Sequence, residues 1–349
     1  MIPSTIFRPP GLAGKPFHIE LRTLHVDRLR LDEELLKRTL DGGVTIIRDT
    51  VIRVERNGQS ISAVHTAGTR FSSSWFIDAS GFATSLLARE FRLPAIQFGP
   101  AKVAVWAYFA VSESVEGTTL YMGPLSTKYL EWIWEIPINP QIISVGYATT
   151  GAAMKVQREQ GLGVEDIFRQ QLAKYPRFAP LLEAGPLEPC NVTSFQSRVY
   201  DGVAGPNWFI AGEAASMVDP ITANGVTAAL RHAADASALI LKYRKRDRLP
   251  LRATGSYNHR IVQMAKFFNM GIEKKILYEP AVRNRIGARH SGTVYTSPAW
   301  SMNVVYARLN PMGILSTFLL GSVLWFFRAS AWVFAEWCKR MATVGETPA

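Results

Sequence analysis

Trp208-Phe209-Ile210-Ala211-Gly212-Glu213-Ala214-Ala215-Ser216-Met217-Val218-Asp219-Pro220-Ile221-Thr222-Ala223-Asn224-Gly225-Val226 passes from an apolar run, through a turn of small residues, into the start of a helix. Trp208 to Ile210 read as a buried strand whose end carries a carboxylate, Glu213, next to Gly212. A second turn is expected at Asp219-Pro220, and Gly225 opens a helix that continues through Ala228, Leu230 and Ala233. A carboxylate at a strand end can accept hydrogen bonds from sugar hydroxyls, and the free N–H groups of a helix start attract an anion. Strand, acid-bearing corner and helix therefore make a candidate site for a polyhydroxylated ligand and a small anion.

A second stretch, Trp132-Ile133-Trp134-Glu135-Ile136-Pro137, carries two indoles at a spacing of two. In an extended strand Trp132, Trp134 and Ile136 share one face as a rigid apolar wall, and Pro137 is expected to end the strand's pairing. Without further context this is also the pattern of an ordinary buried strand with two core tryptophans. Upstream, His25 to Asp32 precedes a helix with Leu31, Leu35, Leu36 and Leu40. Gly42-Gly43 closes that helix, and Val44 to Ile47 reads as a strand. Val51 to Val54 and Ile61 to His65 predict a hairpin across Asn57-Gly58, and Trp75 to Asp78 a buried strand ending in Asp78-Ala79-Ser80-Gly81.

These motifs, in this order, resemble the flavin-dependent halogenases of the p-hydroxybenzoate-hydroxylase superfamily over residues 20 to 240. The resemblance implies an α/β (α+β) fold: an FAD-binding lobe in two parts, residues 1–90 and 193–245, with an inserted antiparallel substrate-binding sheet at 91–192. A helical C-terminal region follows at 246–349. It further implies FAD contacts from Arg28, Asp78, Gly81, Gly212, Glu213, Asp219 and Pro220, with Glu213 standing where the family usually has Asp. Asn224 and Gly225 map onto the halide site, for chloride or bromide. Trp132, Trp134, Ile136 and Pro137 map onto the wall that keeps the organic substrate away from the flavin oxidant. A partner flavin reductase would supply reduced FAD, and the acceptor would be an electron-rich aromatic. Thr222 replaces the Glu of the indole halogenases near the halide glycine, which favours a phenol or a carrier-bound aromatic over free tryptophan.

Two features depart from that family. Its opening strand, Gly-x-Gly-x-x-Gly turn and helix have no counterpart here, because Gly11 and Gly14 are wrongly spaced and Gly161-Leu162-Gly163 follows a polar helical stretch. The chain thus reads as though about a hundred residues preceded it, the length of such a unit with its linker. Lys15 lies too near His25 to match the family's catalytic lysine. Two other readings stand beside halogenation: an FAD-dependent monooxygenase or reductase of a lipid or isoprenoid, and a noncatalytic binding remnant without flavin.

The net charge of +11 is spread along the sequence, and neither an RNA-binding aromatic motif nor a zinc-spaced Cys/His set occurs, so no nucleic-acid partner and no metal are expected. His232 and His290 read as surface or satisfied histidines. Cys190 and Cys338 alone do not make a disulfide framework, and the proline-rich N-terminus lacks a signal-peptide core, which together suggest a cytoplasmic setting. Residues 309–327 carry no charge and lie between Arg308 and Arg328. Apolar residues continue past Arg328 at Trp332, Val333, Phe334 and Trp337. A spanning helix, a helix lying in the membrane interface and a helix packed on the flavin lobe all fit this pattern.

Overall fold

Alternation along residues 102–150 dictates the first sheet. In the computed structural model, which describes residues 2–7, 19–25, 27–83, 85–113, 118–121, 131–222, 224–270, 274, 279, 281 and 314–344, this region belongs to one of two compact units. The first comprises Met1–Ile46, Pro100–Phe195 and Arg283–Trp300; the second comprises Ile47–Gly99, Gln196–Val282 and Ser301–Ala349.

In the first unit, β1 (Ile2–Phe7) and β2 (Ile19–His25) pair antiparallel, and α1 (Arg28–Asp41) follows. Asp27 caps α1 by accepting from the N–H groups of Leu29 and Arg30. No residue of α1 is buried. The main sheet is antiparallel, in the order β12-β8-β11-β10-β9: β8 (Lys102–Ala110), β9 (Thr119–Tyr121), β10 (Trp132–Asn139), β11 (Ile142–Thr150) and β12 (Asn191–Phe195). One face sends Val105, Ala107, Phe109, Ile133, Ile143, Val145 and Tyr147 into a core with Ile167, Phe168 and Leu172 of α4 (Val164–Ala173). Met154 of α3 (Gly151–Glu159) and Leu181 of α5 (Ala179–Ala184) join the same core.

The second unit begins with the three-stranded meander β3 (Arg53–Asn57), β4 (Ser60–His65) and β5 (Arg70–Ser72). β6 (Phe76–Asp78) pairs in parallel with β14 (Trp208–Ile210), and the short helix α2 (Leu86–Glu90) follows β6. β7 (Ala95–Gln97), β13 (Arg198–Tyr200) and β15 (Ser216–Met217) form an antiparallel trio. Phe209 and Ile210 pack with Ala236 and Leu239 of α6 (Gly225–Tyr243) and with Tyr257 and Ile261 of α7 (Leu251–Lys266). The long α8 (Ile314–Val344) lies against α7, with Phe327 edge-on to Phe267.

Two expectations are corrected. Residues 44–50 form no strand, and Val44, Ile46 and Ile47 are exposed, since none of them meets a pairing strand among the described residues. Pro137 does not end β10; it pairs with Ile143, and the register shifts only between Pro137 and Asn139. Among the described residues β9 pairs with β10 only as far as Glu135, so no described ladder on that edge needs the N–H that Pro137 lacks. His232, read as surface or satisfied, is the latter: it is 5% exposed within α6 and accepts from the Gly212 N–H. Residues 309–313, Lys15 and His290 lie outside the described residues.

Candidate functional site

The first candidate surface is the face of the main sheet opposite its helices. Trp132 is buried, Trp134 and Ile136 are half-buried, and the two indole centroids are 5.2 Å apart. Trp134 lies over the neighbouring strand: its register partner is Gly146, where a Cβ would come within 2.0 Å of the indole. Its Nε1 donates to Ser144 Oγ at 3.2 Å, which fixes the ring's tilt. Trp106 pairs with Gly146 from the other side, so a third indole stands in the same cross-strand row. The W-x-W pattern could not show Trp106, because its row is set by strand pairing and not by spacing.

Beneath this face, alternation places Glu135 on the helix side with its carboxylate 1% exposed. Arg177 donates to one oxygen at 2.7 Å and the Tyr121 hydroxyl to the other at 2.6 Å. Glu131 accepts from the Tyr147 hydroxyl at 2.7 Å and from Thr149 at 3.2 Å. Burial, reinforced by the Glu131 charge, pushes the Tyr175 hydroxyl up to about 12 and Tyr147 higher still, so both phenols stay protonated and act as donors. This acid layer is fully bonded and holds the wall rigid.

The second candidate site is the strand-turn-helix corner of the other unit. Ile210 ends β14, Gly212 turns with φ 61°, and Glu213 is exposed. The Gly212 N–H donates to His232 Nδ1 at 3.1 Å, which leaves the proton of the neutral ring on Nε2. Burial lowers the His232 pKa to about 4, so the imidazole is an acceptor at neutral pH. His232 thereby clamps the corner to α6. The sequence did hold a signal for it: Gly225, Ala228 and His232 recur at helical spacing and line one small cavity with Glu213 and Asn224.

α6 starts at that cavity without the usual cap. Asn224 occupies the N-cap position and is 3% exposed, yet its side chain makes no capping bond, and its Oδ1 finds no hydrogen-bond partner. A Cβ at Gly225 would come within 3.2 Å of Glu213 Oε1, which the exposed carboxylate could relieve by a small shift. The cavity holds about 20 Å³, enough for one water-sized or monatomic guest.

The remaining expected ligands divide by what already holds them. Asp78 is buried and accepts from the Ser80 N–H and hydroxyl, the Ser85 hydroxyl and the Leu87 N–H, so it organises the turn into α2. Gly81 turns with φ 84° and has nothing within 4 Å of a Cβ, so conformation and not crowding selects glycine. Asp219 accepts from the Ile221 N–H at 2.9 Å, with Pro220 opening the short turn between them. Arg28 is exposed and paired with Asp32 at 3.1 Å on the surface of α1. Among the described residues no cluster of three or more His, Cys, Asp or Glu could hold a metal ion.

With that geometry in view, the comparisons are consistent with one another. The tryptophan halogenase family model matches residues 19–269. Tryptophan 2-halogenase of Chondromyces crocatus is 29% identical over 232 residues, which cover 62% of this chain and 43% of that protein. The 1H-pyrrole-2-carbonyl-[peptidyl-carrier protein] chlorinase of Pseudomonas fluorescens is 25% identical over 63% of this chain and 51% of its own length. Among solved structures, the flavin-dependent brominase Bmp2 superposes with a TM-score of 0.64 at 18% identity, covering 82% of this chain and 74% of that one. A variant of the halogenase PltM in complex with FAD superposes at 0.57 and 14% identity, covering 92% of this chain and 63% of that one. The chain belongs to the tryptophan halogenase family of flavin-dependent halogenases. It spans about half, or less, of the length of these curated relatives.

Proposed function

We propose that this protein is a flavin-dependent halogenase acting on an electron-rich aromatic, phenolic or carrier-bound, with the halide held at the start of α6. The observation that carries this reading is the uncapped N-terminus of α6 beside a monatomic cavity. First-turn N–H groups without a side-chain cap favour an anion. A half-turn of the Asn224 amide would present Nδ2 to that anion and break no hydrogen bond to Oδ1. Glu213 makes no ion pair with a described residue and remains available to sugar hydroxyls, whereas Asp78 and Asp219 are committed to their own turns. These residues fit FAD with Glu213 and the Gly81 and Gly212 backbones as contacts, and with Asp78, Asp219 and Pro220 shaping the corner. When bound, reduced FAD would activate molecular oxygen, the two-electron oxidant that converts chloride or bromide into an electrophilic halogen.

In this reading Trp132, Trp134 and Ile136 act as a water-excluding wall, and Pro137 fixes where the wall's strand slips register. The Nε2–H of His232 is a donor beside the halide cavity, and its Nδ1 keeps the Gly212 corner in place. Residues 100–195 present the aromatic substrate, and a reductase delivers reduced flavin. The carrier-protein chlorinase among the relatives supports a carrier-bound acceptor. The test supplies the full chain with a flavin reductase, FAD, bromide or chloride, and a phenol or a pyrrolyl-loaded carrier protein. A halide-dependent mass increase, lost in Asn224→Ala, is the expected result; retained FAD with no halide-dependent product would overturn the reading.

α8 supports a further part of the proposal, contact with a membrane surface. No helix among the described residues is long and apolar enough to cross a membrane. α8 nonetheless buries Leu324, Ala335 and Cys338 while turning Phe326, Val333 and Trp337 outward, at 62%, 58% and 44% exposure. An apolar stripe on the solvent side of a helix, with Trp325, Trp332 and Trp337 on it, suits the headgroup layer. Flotation of the full chain with anionic vesicles, lost in Phe326→Ser/Trp337→Ser, is expected; equal flotation of both proteins, or of neither, would remove this part.

A further inference from the structure

A second cavity lies in the same unit, at the opposite end of β14 from the Gly212 corner. Its volume is about 680 Å³, within the range of small-molecule sites, and it shares no lining residue with the small cavity beside Asn224. Trp208 opens β14 and forms the floor, 2% exposed. That floor is rigid: the indole Nε1 donates to the Gln59 carbonyl at 2.9 Å, and the ring stacks on Phe91 at 4.5 Å. Gly205 lies flat on it, since a Cβ at that position would come within 2.2 Å of the indole. Leu93 and Leu249 complete an apolar interior, and Leu251 stands at the opening, 89% exposed.

The rim carries two arginines two positions apart. Arg246 and Arg248 both line the cavity and are exposed, and neither pairs with an acid among the described residues. Asp247 between them takes a left-handed conformation, φ 50°, at the end of a short turn that follows α6. Arginine forks bind carboxylate and phosphate groups, and an apolar lining takes an apolar body.

We infer that this cavity is a second ligand site for an amphipathic anion, an acyl or aryl chain ending in a carboxylate or a phosphate. The chain lies along Leu93 and Leu251, over the Gly205–Pro206 backbone that Trp208 supports from beneath, and the anionic end is held by Arg246 and Arg248. The site is independent of the halide and flavin reading, because it needs neither the Gly212 corner nor α6's first turn.

Calorimetric titration of the full chain with decanoate, decyl phosphate and decanol tests this. One saturable site is expected for the anions, with the decanoate and decyl phosphate arms identifying the preferred group. Arg246→Gln/Arg248→Gln should weaken anion binding at least tenfold, as should raising the salt concentration. Thr254→Trp, at the cavity wall, should abolish binding while the circular dichroism spectrum stays unchanged. Decanol should bind at least tenfold more weakly than either anion. Absence of a saturable site for both anions, binding by the variants equal to wild type, or decanol binding as tight as the anions would overturn the assignment.

Discussion

The wall on β10 and the corner before α6 are built on opposite principles. On the sheet both buried carboxylates and the Trp134 indole are partnered: Glu135 holds Arg177 and Tyr121, Glu131 holds Tyr147 and Thr149, and Trp134 holds Ser144. At the corner, Asn224 Oδ1 is buried without a partner and α6 starts without a side-chain cap. A buried orphan acceptor costs about 1–3 kcal/mol, which a chain tolerates at few places. The sheet is arranged to stay as it is, and the corner to receive something. Stability should therefore respond strongly to changes in the wall and weakly, or in the opposite sense, to changes at Asn224, whereas His232, which clamps the corner, should behave as a structural group.

The largest effect is expected at the wall. Trp132→Ala removes an indole that is 4% exposed, and urea unfolding should show a loss of about 3–5 kcal/mol. A loss under 1 kcal/mol would mean the indoles are not structural members of the sheet. Next comes acid. Because the folded-state pKa of His232 lies below its unfolded value of 6.5, its contribution is fully present above pH 6.5 and is lost as the pH falls towards about 4. The loss is on the order of 3 kcal/mol for a fully buried imidazole, and His232→Gln should flatten this part of the stability profile. An unchanged profile would show that the histidine does not hold the corner.

Smaller effects sharpen the contrast. Gly146→Ala places a methyl where Trp134 lies, and the indole must move, at about 1–3 kcal/mol; a red-shifted tryptophan emission would report it. Asn224→Leu replaces an unpartnered amide with an apolar side chain of similar size. It should leave stability unchanged or raise it by up to about 1 kcal/mol while halide-dependent turnover disappears. A large destabilisation would show that Asn224 is a structural cap after all. Arg28→Ala should change stability by no more than about 0.5 kcal/mol, because the Arg28–Asp32 pair is exposed on both sides.

The same two regions show what could be read from the chain alone. Period-two alternation placed Trp132, Trp134 and Ile136 on one face, and small-residue turns followed by helical spacing located the Gly212 corner and the start of α6 at Gly225, because both signals are local. The Asn57-Gly58 turn predicted the β3–β4 hairpin for the same reason. Val44 to Ile47 misled: apolar composition favours a strand, but a strand exists only where a partner pairs with it, and these residues are exposed.

Sequence by itself determined the family, the period of each element and the residues that open the turns, since these follow from neighbours a few positions apart. Only the tertiary structure decided which polar groups are already spoken for. Asp78 and Glu213 look alike as acids at strand ends, yet one is saturated by four donors and the other is exposed. His232 reaches Gly212 across 20 residues, and Trp134 settles on Gly146 across a strand pair. Hydrogen-bond partners and packing surfaces come from distant parts of the chain, and burial, which sets their energy, is a property of the assembled fold.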